Sequence, residues 1–376
     1  MNKSVLSLLF LSAVVASAQQ RNPALAEEPP DAVALAVSET PDEVYQAAGQ
    51  NSTTTNAAPA DAKPSETKKK SPPPSDEEVK RPPIDASMVG YIENAIVGSE
   101  VRIRFDAAFN DAFPDRAEFV YAKCGCYRTA PAPVYDPNAP GPGPGIPKYI
   151  NFQTLEFMGE WAPNPRLSAF VQLPIRWLQP EGVIKSTDPT PAFLSSAGVS
   201  DVQAGLKFAM LAKRKAYVSG QMKAYFPSGQ AVQGLGTNHY SIEPAILYYG
   251  RLSERFELEG EVGAWIPIGG SKGVIPANNA EFAGNIFFYG IGPSYRIIDG
   301  EKFRLSPVVE FVGWNVTSGQ QTGTPTDASG TNIVNLKIGA RMSFKPKNSI
   351  YVGYGKALTS ADWYDHIVRV EYRHTF

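Results

Sequence analysis

From Ser99 to the C-terminus the chain is a succession of stretches, each roughly 10 to 15 residues long, in which apolar and polar positions alternate. The closing segment "DHIVRVEYRHTF" sets Val368, Val370, Tyr372 and Phe376 on one face and Arg369, Glu371, Arg373 and Thr375 on the other. "RLSAFVQLPIRWLQP" sets Leu167, Ala169, Val171, Leu173, Ile175 and Trp177 against Arg166, Ser168, Gln172 and Arg176. "RFELEGEVGAWIPI" sets Phe256, Leu258, Val262, Ala264 and Ile266 against Glu257, Glu259 and Glu261. A side-chain period of two predicts strands that show water one face and something oily the other. These runs are long for a globular sandwich, where about 5 or 6 residues is usual, and suit tilted crossings of a bilayer.

The connections support the bilayer. Tight ones ("APNPR", "LAKRK", "RLSER", "IIDGEK", "FKPKNS") alternate with loose ones such as "VYDPNAPGPGPGIPK", "PSGQAVQGLGTNH" and "TSGQQTGTPTDASGTN". Outer-membrane barrels segregate short periplasmic turns from long external loops in this way. The expected fold is an all-β, antiparallel up-and-down transmembrane barrel. Counting back from a periplasmic C-terminus gives twelve strands, the first near Ser99–Asn110. "PDRAEFVYAKCGC" then belongs to the first external loop or folds into the lumen. If it is a full strand, "GYIENAIVG" becomes another and the count is fourteen.

Upstream the pattern disappears. "MNKSVLSLLFLSAVVASAQQ" carries Lys3, an apolar run from Val5 to Val15 and Ala16-Ser17-Ala18, the order of a secretory signal, with cleavage expected after Ala18. Residues 19–87 are rich in Ala, Pro, Ser, Thr and acidic residues and read as a disordered periplasmic arm. Its "KKKSPPP" patch is a candidate contact for peptidoglycan, set against the plainer reading of a solvated charge run. The barrel is expected over 88–376. No later apolar run approaches the roughly 20 residues of a membrane-spanning helix. The predicted location is the outer membrane of a Gram-negative-type bacterium.

Lipid on the apolar face puts charge inside, since Arg or Lys facing lipid near the midplane costs about 2–4 kcal/mol. The expected lumen residues are Arg102, Arg104, Asp106, Arg166, Arg176, Asp201, Lys207, Lys223, Glu243, Glu257, Glu259, Glu261, Arg304, Glu310, Lys337, Arg341, Arg369, Glu371 and Arg373. Opposite charges on neighbouring strands could pair and stiffen the wall. Collectively they could line a hydrated or gated pathway. Trp161, Trp177, Trp265, Trp314 and Trp363 fall near predicted strand ends and read as interfacial girdle anchors.

The formal net charge of −2 does not suggest a nucleic-acid binder. Cys124 and Cys126 are the two cysteines; a local disulfide, strained by its spacing, is favoured over free thiols, and a metal site is disfavoured. With three histidines, His239, His366 and His374, an enzyme reading rests on a lipid-face pair of His239 and Ser241. A polar pair at the rim is the simpler account. No cofactor is expected.

Gly198 and Asp201, Gly205-Leu206-Lys207-Phe208, Pro227-Ser228-Gly229, Gly234-Leu235-Gly236 and Pro244 resemble the pattern of the outer-membrane family labelled "MetA-pathway of phenol degradation". Ser228 replaces the family's Thr. "PDRAEFVYAKCGC", "VVEFVGW" and "YVGYGKALT" are similar to planctomycete-type members. The resemblance implies a transporter barrel and covers most of residues 99–376. Its glycines and prolines specify turns and strand ends rather than a solute.

The expected function is an outer-membrane channel or transporter for small hydrophobic or aromatic solutes. A structural or adhesive anchor with working external loops is the alternative, and a lipid-acting hydrolase the third. Expected partners are membrane lipid, a small-molecule solute and the barrel-assembly machinery, which reads a terminal strand such as Val368, Val370, Tyr372 and Phe376. His374 departs from that signal, where an aromatic or apolar residue is usual.

Overall fold

The computed structural model describes residues 81–111, 146–185, 195–269, 284–321, 324–327, 329–344 and 347–376. The signal, the arm as far as residue 80, "PDRAEFVYAKCGC" and both cysteines lie outside these residues. The alternating stretches form twelve staves. They are β1 Glu100–Asp111, β2 Ile146–Asn164, β3 Leu167–Lys185, β4 Val202–Lys213, β5 Ala216–Phe226 and β6 Tyr240–Arg251, then β7 Phe256–Ile268, β8 Ile286–Tyr295, β9 Phe303–Val316, β10 Asn332–Phe344, β11 Asn348–Ala357 and β12 His366–Thr375. Each pairs antiparallel with its sequence neighbours, β8 pairs β9, and β12 returns to β1. The sheet is therefore closed. Two short strands lie beside the wall, Ser196–Val199 on β3 and Ile298–Asp299 on β9.

Closure leaves no open edge, so every stave's backbone hydrogen bonds within the sheet, as crossing a hydrocarbon layer requires. Twelve staves is the expected number. The fourteen-stave alternative fails because "GYIENAIVG" is not in the wall.

Short turns gather at one rim and long connections at the other, because the staves are strictly up-and-down. Turn chemistry fixes the first rim: the Asn164 side chain accepts the Arg166 and Leu167 N–H groups at 2.9 and 3.0 Å, and Ser253 Oγ accepts the Phe256 N–H at 3.0 Å. Below, these are the turn rim and the loop rim. The turn rim also holds the C-terminus, where the Phe376 N–H reaches the Ser99 carbonyl at 3.0 Å.

The two faces of the sheet invert the polarity of a soluble protein. Outward positions are Val101, Ile103, Phe157, Val171, Phe208, Ile246, Val352, Val368, Val370 and Tyr372, all exposed. Inward positions are Arg102, Lys207, Glu257, Glu310, Lys337, Arg341, Glu371 and Arg373, each no more than 2% exposed. An apolar belt of this kind is stable against lipid and would be a liability in water.

Candidate functional site: a stoppered lumen with an open vestibule

Residues 84–98 lie inside the wall. A single 3-10 turn, Ile84–Ala86, sits near the turn rim. Met88, Val89, Ile92, Ala95, Ile96 and Val97 are at most 2% exposed. The segment rises from the turn rim, where Arg304 Nη1 donates to the Asp85 carbonyl at 3.3 Å. It comes back down to that rim, where Arg81 donates to the carbonyls of Val97 and Pro165 at 3.0 and 3.2 Å. It then enters β1.

An irregular backbone within a membrane-depth lumen needs partners for every N–H and C=O. The inner charges supply them. Glu310 accepts the N–H groups of Gly90, Tyr91 and Ile92 at 3.0, 2.9 and 2.8 Å. Glu259 accepts that of Met88 at 2.7 Å, and Glu261 that of Glu93 at 3.1 Å. Arginines take the carbonyls: Arg341 those of Met88 and Val89 at 3.2 and 2.6 Å, Arg369 that of Gly90 at 2.7 Å and Arg373 that of Ser87 at 3.5 Å. Further down, Ser219 Oγ donates to the Ala95 carbonyl at 2.7 Å.

Glycines make room for this stopper. A Cβ on Gly290 would lie 2.9 Å from Ile92 Cγ1, and one on Gly292 2.7 Å from Val89 Cγ1. The wall is thinned where the stopper's side chains press against it.

The remaining inner charges pair across staves. Arg369 forks onto Asp106 at 2.6 and 2.7 Å, Arg104 meets Glu156 at 2.7 Å, and Lys207 meets Glu160 at 3.0 Å. Lys223 meets Glu243 at 2.9 Å, Glu371 bridges Arg341 and Arg373 at 2.8 and 3.1 Å, and Arg296 pairs with Glu257. The expected glutamate stripe is thus not a free acidic surface. Glu257 is in an ion pair, and Glu259 and Glu261 hold main chain.

Above the stopper, toward the loop rim, a cavity of about 240 Å³ opens. Its floor carries Tyr91 and Glu93; Arg104, Asp106, Arg176, Lys223, Glu243, Glu261, Lys337 and Arg369 line it with charge. Phe152, Phe288, Trp314, Trp363 and Tyr364 supply its aromatic surface. Trp314 and Trp363 sit with ring centroids 4.7 Å apart, and Phe152 and Tyr364 meet edge-on at 6.4 Å.

The family-type residues form a clasp at the loop rim. Asp201 accepts the Gly229 N–H at 3.0 Å and the N–H and hydroxyl of Thr237, both at 2.8 Å. Burial pushes its carboxyl above the ordinary value, against those three hydrogen bonds. Ser228 Oγ, the departure from Thr, accepts the Val202 N–H at 2.8 Å. A Cβ on Gly229 or Gly236 would strike backbone or Asp201 at 2.4–2.5 Å, so only glycine lets these strands of loop touch. Pro244 sits in β6 where pairing with β7 skips from Ile242 to Ala245, an interruption that fits a residue with no N–H to give.

Some expected placements change. Arg166 lies exposed in the β2–β3 turn, because β2 ends at Asn164 and the turn takes the next two residues. Arg304 and Asp201 face inward at opposite rims, at 7% and 5% exposed. Trp161 and Trp177 are on the outer face, but Trp265 is fully buried inside beside Tyr225 and His239, and Trp314 and Trp363 turn into the vestibule. Odd–even parity sends the side chains on the staves in or out, and proximity to a strand end does not decide it; Trp363 reaches the vestibule from the loop between β11 and β12. His239 and Ser241 face inward rather than toward lipid, at 5% and 1% exposed, and among the described residues the Ser241 hydroxyl meets no hydrogen-bond partner. His374 Nδ1 lies 2.8 Å from Asn348 Oδ1 at the turn rim. Sequence reasoning missed Glu93, Glu156, Glu160 and the whole stopper. The signal was an apolar run without alternation, "SMVGYIENAIVG", directly before the first stave.

A closed up-and-down sheet with an apolar belt outside and a polar interior defines a β-barrel of the outer-membrane kind. The chain belongs to the family described as "Putative MetA-pathway of phenol degradation", whose model matches residues 164–364. Solved structures include an outer membrane channel from Pseudomonas putida F1, 14% identical, covering 77% of this chain and 99% of that one at a TM-score of 0.47. The beta domain of the Bordetella autotransporter BrkA is 12% identical, covering 74% and 100% at 0.41, and the NanC porin 8%, covering 74% and 100% at 0.37. Among curated proteins no sequence matches.

Proposed function

We propose that the protein carries small solutes with apolar or aromatic surface across the outer membrane, through a vestibule that opens at the loop rim and ends on the stopper. The vestibule carries the reading: aromatic rings and ion pairs share one cavity inside a lipid-facing wall. An anchor with working loops needs no such chamber. The loop rim faces the exterior, the turn rim and N-terminal arm face the periplasm, and the stopper sets how much of the lumen is open. The outward face of β12, with Val368, Val370 and Tyr372, and the terminal Phe376 just beyond it serve assembly into the membrane.

Planar-bilayer recording of the refolded full chain tests this. Step-like conductance that switches between low and higher levels is expected. A barrel shown to be folded and inserted, yet silent at every voltage and impermeable to small neutral solutes in loaded vesicles, would refute a channel.

A further inference from the structure

Lys337 sits on the inner face of β10 at the floor of the vestibule. Its side chain is enclosed by aromatic groups: Nζ lies 4.1 Å from the Tyr91 ring centroid and 4.5 Å from that of Tyr364, and it donates to the Tyr364 hydroxyl. Among the described residues no carboxylate comes within ion-pair distance of it. The expected partner is present in the wall, since Glu310 stands directly opposite Lys337 in the β9–β10 register. Its two oxygens are taken by the stopper's Gly90, Tyr91 and Ile92 N–H groups and by the Tyr351 hydroxyl at 3.1 Å. The stopper has drawn away the carboxylate that would neutralise the lysine.

The neighbouring groups do not replace it. Arg369, 4.1 Å from the Tyr91 ring centroid, is matched by Asp106, and Arg104 by Glu156. Among the described residues Glu261 is the vestibule carboxylate outside any ion pair, and one of its oxygens is held by the Glu93 N–H. A buried ammonium without an anion is costly unless something supplies the charge. A solute that did so would lay its apolar body between Phe152, Tyr364 and the Trp314–Trp363 pair.

We infer that the vestibule is a binding site for a small aromatic carboxylate, its anionic group on Lys337 and its ring against those aromatic side chains. Cation–π contact with Tyr91 and Tyr364 keeps the ammonium in place when the site is empty. This deepens the channel reading and rests on it for a route, although binding and passage are separate measurements.

The test is calorimetric titration of the full chain in detergent with three probes of one size: benzoate, benzyl alcohol and benzylammonium. Benzoate should bind saturably and at least about tenfold more tightly than either other probe, the range of one charge-assisted hydrogen bond. Lys337→Met should remove that preference, and Lys337→Arg should keep most of it, which separates loss of charge from loss of fold. Equal binding of all three probes, a preference for benzylammonium that would point to Glu261, or a benzoate preference that survives Lys337→Met overturns the site. Vesicles containing the protein that conduct while benzoate fails to bind would sink this inference and leave the channel standing. Benzoate binding by a silent barrel would do the reverse.

Discussion

The two halves of the lumen are built from the same residue types and use them in different ways. Toward the turn rim, glutamates and arginines are spent on the main chain of residues 84–98, so charge becomes structure. Toward the loop rim, charges pair with one another around a space shared with aromatic rings. What separates the halves is whether a polypeptide occupies the lumen. A carboxylate that meets three N–H groups is a clamp, whereas one that meets an arginine across a cavity is part of a surface a solute can touch.

The sharpest way to break that contrast is at the clamp. Glu310→Ala leaves the N–H groups of Gly90, Tyr91 and Ile92 without an acceptor, a loss on the order of 3 kcal/mol in seating the stopper. Hydrogen exchange at those amides should accelerate about a hundredfold while amides of the staves keep their protection. Single-channel conductance should rise with it. Unchanged exchange at all three amides would show that the stopper is held by packing alone.

The loop half has its own clamp in Asp201. Asp201→Ala removes the acceptor for Gly229 and both donors of Thr237, worth about 2 kcal/mol. Thermal unfolding in detergent should shift downward, with protease sensitivity appearing first within 227–239. Conductance noise should rise rather than mean conductance, since the clasp is at the mouth and not in the path. A variant that opens the lumen as fully as Glu310→Ala would erase the distinction between the halves.

The smallest effect concerns the loop between β11 and β12. Burial, with Asp365 nearby, pushes the Asp362 carboxyl up to about 6. A carboxyl whose folded value lies above its ordinary 3.8 holds its proton more tightly when folded. The contribution to stability is full below that ordinary value and is lost as pH rises toward and through about 6. The neighbouring Trp363 should report it as a fluorescence change with a midpoint near 6 that Asp362→Asn abolishes. A flat titration in the parent protein would remove the loop's pH dependence.

Much of the architecture was legible because a strand's side-chain parity is local. Val368, Val370 and Tyr372 against Arg369, Glu371 and Arg373 need nothing beyond a period of two and a medium on each side. Up-and-down connection then makes loop lengths alternate, and twelve follows by counting. Parity does not reach Arg166, which lies in a turn, or Asp201, which lies in the clasp before β4. Trp265 and Trp314 were misplaced because closeness to a strand end was weighed above parity, and Trp363 because it lies in the loop between β11 and β12, where parity does not apply.

What each inward charge meets lies beyond local pattern. Glu310 and Gly90 are 220 positions apart in the chain, and Arg369 and Gly90 279 apart. "SMVGYIENAIVG" has no period that marks it as a stopper, because its backbone is satisfied by side chains from distant staves and not by its own regular hydrogen bonding. The sequence by itself determined a lipid-facing barrel, its stave count, its two unlike rims and the sign of its interior. Tertiary structure decided that one half of that interior is filled by the chain's own residues 84–98. It also decided that Lys337, deprived of Glu310 by that segment, is left facing a cavity, because closing a sheet brings together side chains that no local rule relates.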